Sequence, residues 1–164
     1  MNYLQDIYRL AYIKRYSNIP KLHEESVAEH GFFVAAIVMQ LHEEYRFDLG
    51  RAICIATAHD MAEMELNDAP WIIKQKYPAI KKAFEECEAE VLKQMPIAVR
   101  KAAQEFEEAE IVEAKVVILA DAMQCLQFAT EELKTGNEGY MREVYNNSVK
   151  RIVELQEELE EYAI

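Results

Sequence analysis

The sequence predicts an all-α fold organised as a single helical domain, and three observations carry that expectation. Gly and Pro number only four each in 164 residues, of which 51% are hydrophobic. Ala, Glu, Lys, Leu and Gln, which lose little side-chain freedom in a helix, dominate long stretches of the chain. Apolar residues recur at steps of three and four, and no segment alternates with the period of two that a half-buried strand requires. The length suits one domain with a substantial core, residues 1–164.

Each element has its own signal. Tyr3, Leu4, Ile7, Tyr8 and Ala11 mark a first helix ending near Arg15, followed by a Pro20-containing loop from Ser17 to Glu25. Ser26-Val27-Ala28-Glu29 is a capping box, in which hydroxyl and carboxylate satisfy orphan amides at a helix start. The helix it opens runs to about Tyr45. Asp48 caps a third helix from Leu49 to about Met61, apolar between Arg51 and the pair His59-Asp60. Asp68-Ala69-Pro70 reads as another helix start, and Pro78 and Pro96 open two charged, amphipathic segments. Ile111 to about Lys134 is a long helix with a buried centre at Val116–Ala120. Gly136 and Gly139 separate it from a last helix, Tyr140 to Glu160.

Composition also excludes functions. A formal net charge of −12 argues against general nucleic-acid binding, though a metal and a few placed cations can still receive a small anion in a cleft. No apolar stretch reaches membrane-spanning length, and the opening residues Met1–Asp6 lack a basic-then-apolar leader pattern, so a soluble, cytoplasmic protein is expected. Cys54, Cys87 and Cys125 are too scattered for a disulfide framework or a metal knuckle, and read as core or boundary residues. His23 and His42 read as surface residues.

Four residues put ionisable groups where the pattern wants hydrocarbon. His30 shares a face with Val34, Ile37 and Leu41; His59 and Asp60 end the apolar run Ile53–Ala58; Asp121 interrupts Ile118–Met123. A lone inward histidine is usually a satisfied core residue, and a lone inward aspartate usually an ion pair. All four on three apolar helices can instead share one cation, which offsets the cost of burying the carboxylates. Imidazole nitrogen and carboxylate oxygen suit a divalent transition metal with positions left for water and substrate.

These residues carry a resemblance. Val27-Ala28-Glu29-His30, Ala58-His59-Asp60-Met61-Ala62-Glu63 and Leu119-Ala120-Asp121-Ala122 together resemble the H…HD…D signature of the HD-domain phosphohydrolase superfamily. Arg15-Tyr16, Glu63, Asp68-Ala69-Pro70 and Lys74 are similar to further motifs of its bacterial 5′-deoxynucleotidase branch and that branch's short phage-type triphosphohydrolase relatives. The resemblance implies His30, His59, Asp60 and Asp121 as ligands of one divalent ion (Co, Mn, Zn, Fe or Mg), with Glu63 as general acid/base. It implies Arg15 and Lys74 as phosphate contacts, and Asp68 and Tyr16 as sugar contacts. The branch usually carries Trp after the Arg, so the smaller Tyr16 loosens the expected exclusion of ribonucleotides. From the residues alone, Glu63 also reads as a solvated carboxylate, Asp68 as an N-cap, and Arg15 and Lys74 as surface charges.

The expected reaction is hydrolysis of the 5′-phosphate of deoxyribonucleoside monophosphates. The alternatives are a phage-type dNTP hydrolase releasing triphosphate, and a non-catalytic helical module with a structural metal, against which Glu63 stands. No histidine follows His59, so a second metal lacks ligands. There is no Walker loop or GxSxG, and only Ser17, Ser26 and Ser148 represent serine, so a protein nucleophile is not expected. Tyr145, Val149, Ile152, Leu155 and Leu159 form a stripe on the last helix. It serves either a homodimer or larger homo-oligomer, or the domain's own core.

Overall fold

The Ser26 capping box forms as the sequence requires. Ser26 Oγ accepts the Glu29 amide at 3.2 Å, and Glu29 Oε2 accepts the Ser26 amide at 2.7 Å. This box opens one of the central helices of the computed structural model, which describes residues 2–68 and 71–164. In chain order the helices are α1 (Tyr3–Asp6, continued by a 3₁₀ segment Ile7–Ala11), α2 (Val27–Leu41), α3 (Leu49–Ala58), α4 (Glu63–Leu66), α5 (Trp71–Lys76), α6 (Pro78–Lys93), α7 (Ile97–Glu108), α8 (Val112–Lys134) and α9 (Gly139–Leu159). Among the described residues, extended pairing is limited to two isolated bridges, Lys14 with Ser26 and Tyr45 with Ala163. The protein is all-α.

The core lies where α2, α3, α7, α8 and α9 meet, and α8 is its axis, packing on α2, α3, α7 and α9. Val34, Val38, Leu41, Ile55, Val116, Leu119, Leu155 and Leu159 are buried there. Removing apolar surface of this kind from water contributes roughly 1.5–3 kcal/mol per large side chain, as an upper bound. The last-helix stripe divides: Leu155 and Leu159 are buried in this core, while Val149 stays exposed.

Three boundaries differ from expectation. The first helix stops at Ala11 rather than near Arg15, because the chain turns to bond the segment ahead of α2: Arg15 N–H reaches Glu25 O at 3.0 Å and Val27 N–H reaches Ile13 O at 3.0 Å. Helix α2 ends at Leu41, short of Tyr45, and α3 ends at Ala58, where the chain bends through His59–Ala62. The start expected at Asp68-Ala69-Pro70 falls partly on residues 69–70, outside the described residues. Cys54 and Cys87 are exposed rather than in the core or at its boundary, whereas Cys125 is half-buried. His42 is half-buried against Phe47 rather than at the surface, with ring centroids 4.9 Å apart.

The loop 17–25, which leads from Arg15-Tyr16 to α2, is tied to the end of α8 by Glu132. This carboxylate is fully buried and accepts from Leu22 N–H (2.8 Å), His23 N–H (2.7 Å) and Asn137 Nδ2 (2.6 Å), with His23 Nδ1 also at 2.7 Å. Burial opposes its ionisation, but these donors outweigh burial and hold the carboxyl below its ordinary value. A depressed folded-state pKa contributes stability that is present above the ordinary carboxylate value and lost as pH falls through the folded one. Glu132→Gln is therefore expected to lower stability at pH 7 by about 1–3 kcal/mol and to flatten the acid limb. Urea denaturation at pH 7 and pH 4 checks this; identical midpoints for the two proteins would remove the anchor role.

Candidate active site

The centre of the molecule gathers His30, His59, Asp60 and Asp121. His30 lies one turn into α2 and is fully buried. His59 caps the C-terminus of α3, its ring lying 5.0 Å from Phe106 of α7, and Asp60 follows in the bend. Asp121 sits mid-way along α8. His59 Nδ1 is 2.8 Å from the Ala56 carbonyl, which can only accept, so the proton sits on Nδ1 and Nε2 is left facing the cluster. The two Nε2 atoms are 3.3 Å apart. Asp60 Oδ2 lies 3.2 Å from His59 Nε2 and 3.5 Å from His30 Nε2, and Asp121 Oδ1 lies 3.2 Å from His30 Nε2.

This donor set fits a divalent cation. One donor atom each from His30, His59 and Asp121 lies within 4.8 Å of the others, with the Asp60 carboxylate alongside. The electrostatics show the same need for positive charge. Burial works against protonation of His59, yet the charge and hydrogen bond of Asp60 outweigh it and push His59 up to about 9. Burial likewise opposes the charge on Asp60, but the imidazoles hold its carboxyl well below the carboxylate range. Protons that balance buried carboxylates are what a bound cation displaces.

Two cavities meet this cluster, and Asp121 lines both. The first, about 390 Å³, is bordered by Arg15, Tyr16, Asp68, Asp121, Cys125 and residues of α9. Tyr16 has a left-handed backbone, φ +53°, uncommon for a residue with a side chain. Asp68 Oδ2 braces it by accepting the Tyr16 amide at 3.0 Å, and the ring stacks on Phe128 with centroids 5.2 Å apart. Arg15 is committed largely to protein: Nη1 donates to Glu25 Oε2 (3.2 Å) and Gln124 Oε1 (2.9 Å), and Nη2 to Cys125 Sγ (3.4 Å).

The second cavity, about 820 Å³, is bordered by His59, Asp60, Glu63, Lys74, Arg100, Asp121 and other residues of α6 and α7. Glu63 starts α4, and its Oε2 is buried with no hydrogen-bond partner among the described residues. Burial, then the charges of Asp60 and Asp68, push its pKa up to about 10. Lys74 lines this cavity rather than the one holding Arg15, and its Nζ is paired with Glu88 Oε1 at 3.2 Å. Arg15 with Tyr16 and Asp68, and Glu63 with Lys74, thus approach Asp121 from different sides.

Sequence reasoning missed Gln124 and Glu25, which bond Arg15. Both are buried polar residues, 5% and 6% exposed. It also missed Cys125, Asn147, Ser148 and Arg151 on the wall of the smaller cavity. Burial and the charge of Asp121 push the Cys125 thiol up to about 11, so it stays protonated at neutral pH. The one available signal was spacing: Gln124 and Cys125 lie three and four residues after Asp121, on the same side of α8.

No curated protein matches the sequence. A conserved hypothetical protein from Pyrococcus furiosus superposes with a TM-score of 0.80 at 28% identity, covering 98% of this chain and 96% of that one. An HD-domain phosphohydrolase from Listeria innocua gives 0.79 at 22% identity, over 94% of this chain and 80% of that one. The cyanophage S-2L HD phosphohydrolase DatZ, solved with dA and one catalytic Zn²⁺ ion, gives 0.67 at 20% identity, over 94% and 90%. At those identities the last two speak for the fold. Helical architecture and the histidine–aspartate cluster at its centre define the class, a metal-dependent phosphohydrolase of nucleotides with an HD-domain fold. The chain belongs to the 5′-deoxynucleotidase YfbR-like family, whose pattern it matches over residues 2–163.

Proposed function

We propose that this protein removes the 5′-phosphate from deoxyribonucleoside monophosphates, giving a deoxynucleoside and inorganic phosphate. The observation that carries the reading is the cavity of about 390 Å³ joining Arg15, Tyr16 and Asp68 to Asp121. Its size is at the low end of small-molecule sites, suited to one nucleotide, and its apolar and polar walls are combined as such sites require. His30, His59, Asp60 and Asp121 hold the divalent ion in this reading, and residues 1–164 work as one domain. An ion held there supplies Lewis acidity, lowering the pKa of water and screening phosphate charge.

The chain's own groups do the rest. Arg15 offers its remaining Nη2 proton to a phosphate oxygen, while Glu25 and Gln124 fix the orientation of the guanidinium plane in the cavity wall. Asp68 and Tyr16 border the sugar. Glu63, kept protonated by burial and its carboxylate neighbours, has a proton to give to the leaving sugar oxygen; screening Asp60 lowers its pKa toward the working range.

The second reading, release of triphosphate from a dNTP, draws on the 820 Å³ cavity, whose wall includes Lys74, Lys81, Lys93 and Arg100. Its three lysines are already matched by glutamates, Lys74 with Glu88, Lys81 with Glu85 and Lys93 with Glu90. A triphosphate brings about two more negative charges, and among the described residues of this wall only the cation of Arg100 is without an ion pair to meet them, so the monophosphate fits better. Phosphorus NMR with dAMP and dATP offered separately tests the choice. Inorganic phosphate from dAMP is expected; triphosphate from dATP with dAMP untouched would reverse it. In the same assay, Tyr16→Ala is expected to raise the rate on AMP relative to dAMP.

A further inference from the structure

Gln124 is a buried amide whose part so far is only to hold Arg15, yet it also stands behind His30. Its Oε1 lies 2.8 Å from His30 Nδ1 and 2.9 Å from Arg15 Nη1, and its Nε2 donates to Glu25 Oε1. Glu25 as a carboxylate can only accept, so the NH₂ side of the amide must face it. The reverse orientation would set Gln124 Oε1 against Glu25 and an NH₂ against the guanidinium. The carbonyl is therefore locked toward Arg15 and His30.

That orientation matters because His30 Nδ1 has two neighbours asking for opposite tautomers. Arg15 Nη1, at 2.7 Å, can only donate, which favours a bare Nδ1 and a proton on Nε2. Gln124 Oε1 can only accept, which favours a proton on Nδ1 and a lone pair on Nε2. Arg15 Nη1 has two protons for three groups within reach, and Glu25 Oε2 at 3.2 Å and Gln124 Oε1 at 2.9 Å can take both, which leaves His30 Nδ1 free to keep a proton of its own. A carbonyl oxygen has two lone pairs, and those of Gln124 suffice for both Arg15 and His30.

We propose that Gln124, oriented by Glu25, is the positioning residue of the metal centre: it fixes the His30 tautomer that turns the Nε2 lone pair toward Asp60, Asp121 and His59. It does for His30 what the Ala56 carbonyl does for His59. The inference rests on the reading of His30 as a metal ligand. Partners of this kind set both the aim and the basicity of a ligating imidazole, and losing one typically weakens metal binding about 10–100-fold.

Zn²⁺ affinity measured on chelator-stripped protein by competition with a chromophoric chelator provides the test. Gln124→Met, which keeps the volume and removes the acceptor, is expected to bind Zn²⁺ about 10–100-fold more weakly. The double exchange Glu25→Gln/Gln124→Glu conserves charge and restores every bond, with one carboxylate oxygen accepting from His30 and Arg15 and the other from the new amide. It is expected to return within about threefold of the parent affinity, a rescue that a purely space-filling role for Gln124 would not give. Parent-like affinity in folded Gln124→Met, or an exchanged protein as weak as the single variant, would overturn the proposal while leaving the metal site intact. A parent protein that binds no divalent ion would overturn both.

Discussion

Asp121→Ala is expected to strip the protein of divalent metal and reduce hydrolysis of dAMP by about 10³-fold or more, since a metal ion is worth several kcal/mol to phosphoryl chemistry. Asp121 is where the site's parts converge: its Oδ1 lies 3.2 Å from His30 Nε2, it lines both cavities, and it is held below the usual carboxylate range, burial notwithstanding, by the hydrogen bond and charge of His30. Alanine removes one oxygen-donor group from a cluster of two imidazoles and two carboxylates. It also leaves those imidazoles in a buried site with one carboxylate to balance them. Asp121→Asn, which keeps the shape, separates loss of charge from loss of packing. Elemental analysis of purified variants, alongside initial rates, reads the outcome. Full metal occupancy in Asp121→Ala and His30→Ala would end the four-ligand reading.

Glu63→Gln is expected to keep its metal and its fold while turnover falls by about 10²–10⁴, the usual worth of a general acid/base. The side chain borders the same cavity as His59 and Asp60, and its Oε2 is buried without a partner. An amide matches the carboxyl in size but has no acidic proton to give to a leaving oxygen. The substitution also removes a group that burial and two neighbouring carboxylates disfavour in its charged form, so stability is expected to hold or rise. Metal content, thermal melting and kcat on dAMP distinguish the cases. A metal-replete, folded Glu63→Gln with kcat within a few-fold of the parent would assign the proton transfer to another group.

The cluster residues legible from the pattern of the sequence share one property, that they break an apolar run, whereas Arg15, Tyr16, Glu63, Asp68 and Lys74 were legible only through the family resemblance. His30 among Val34, Ile37 and Leu41, and Asp121 amid Ile118–Met123, are polar groups on inward faces, and inward polar groups need partners. Gln124 and Glu132 escaped notice because α8 carries polar residues on several sides, and nothing local marks which are buried. Their partners, Arg15 and Leu22–His23, are 109 or 110 residues away in sequence. The early end of the first helix was hidden for the same reason. Its periodicity runs on toward Arg15, but the bonds from the Arg15 amide to Glu25 O and from the Val27 amide to Ile13 O win over local propensity. Cys54 and Cys87 misled in the opposite sense, since helical spacing alone does not say which side of an amphipathic helix faces solvent.

Helix α8 carries Asp121, Gln124, Cys125, Phe128 and Glu132, and these meet the histidine–aspartate cluster, the amide network, the smaller cavity, the Tyr16 ring and the loop anchor in turn. Consecutive residues of a helix are set about 100° apart. One inserted or deleted residue between Asp121 and Glu132 would swing everything beyond it by that angle, parting the loop from the site it serves. Single substitutions in this stretch disturb one duty at a time, whereas a change in its length disturbs all those downstream together. The twelve positions of α8 from Asp121 to Glu132 thus act as a ruler, and a change of length is harmless to the site only outside them.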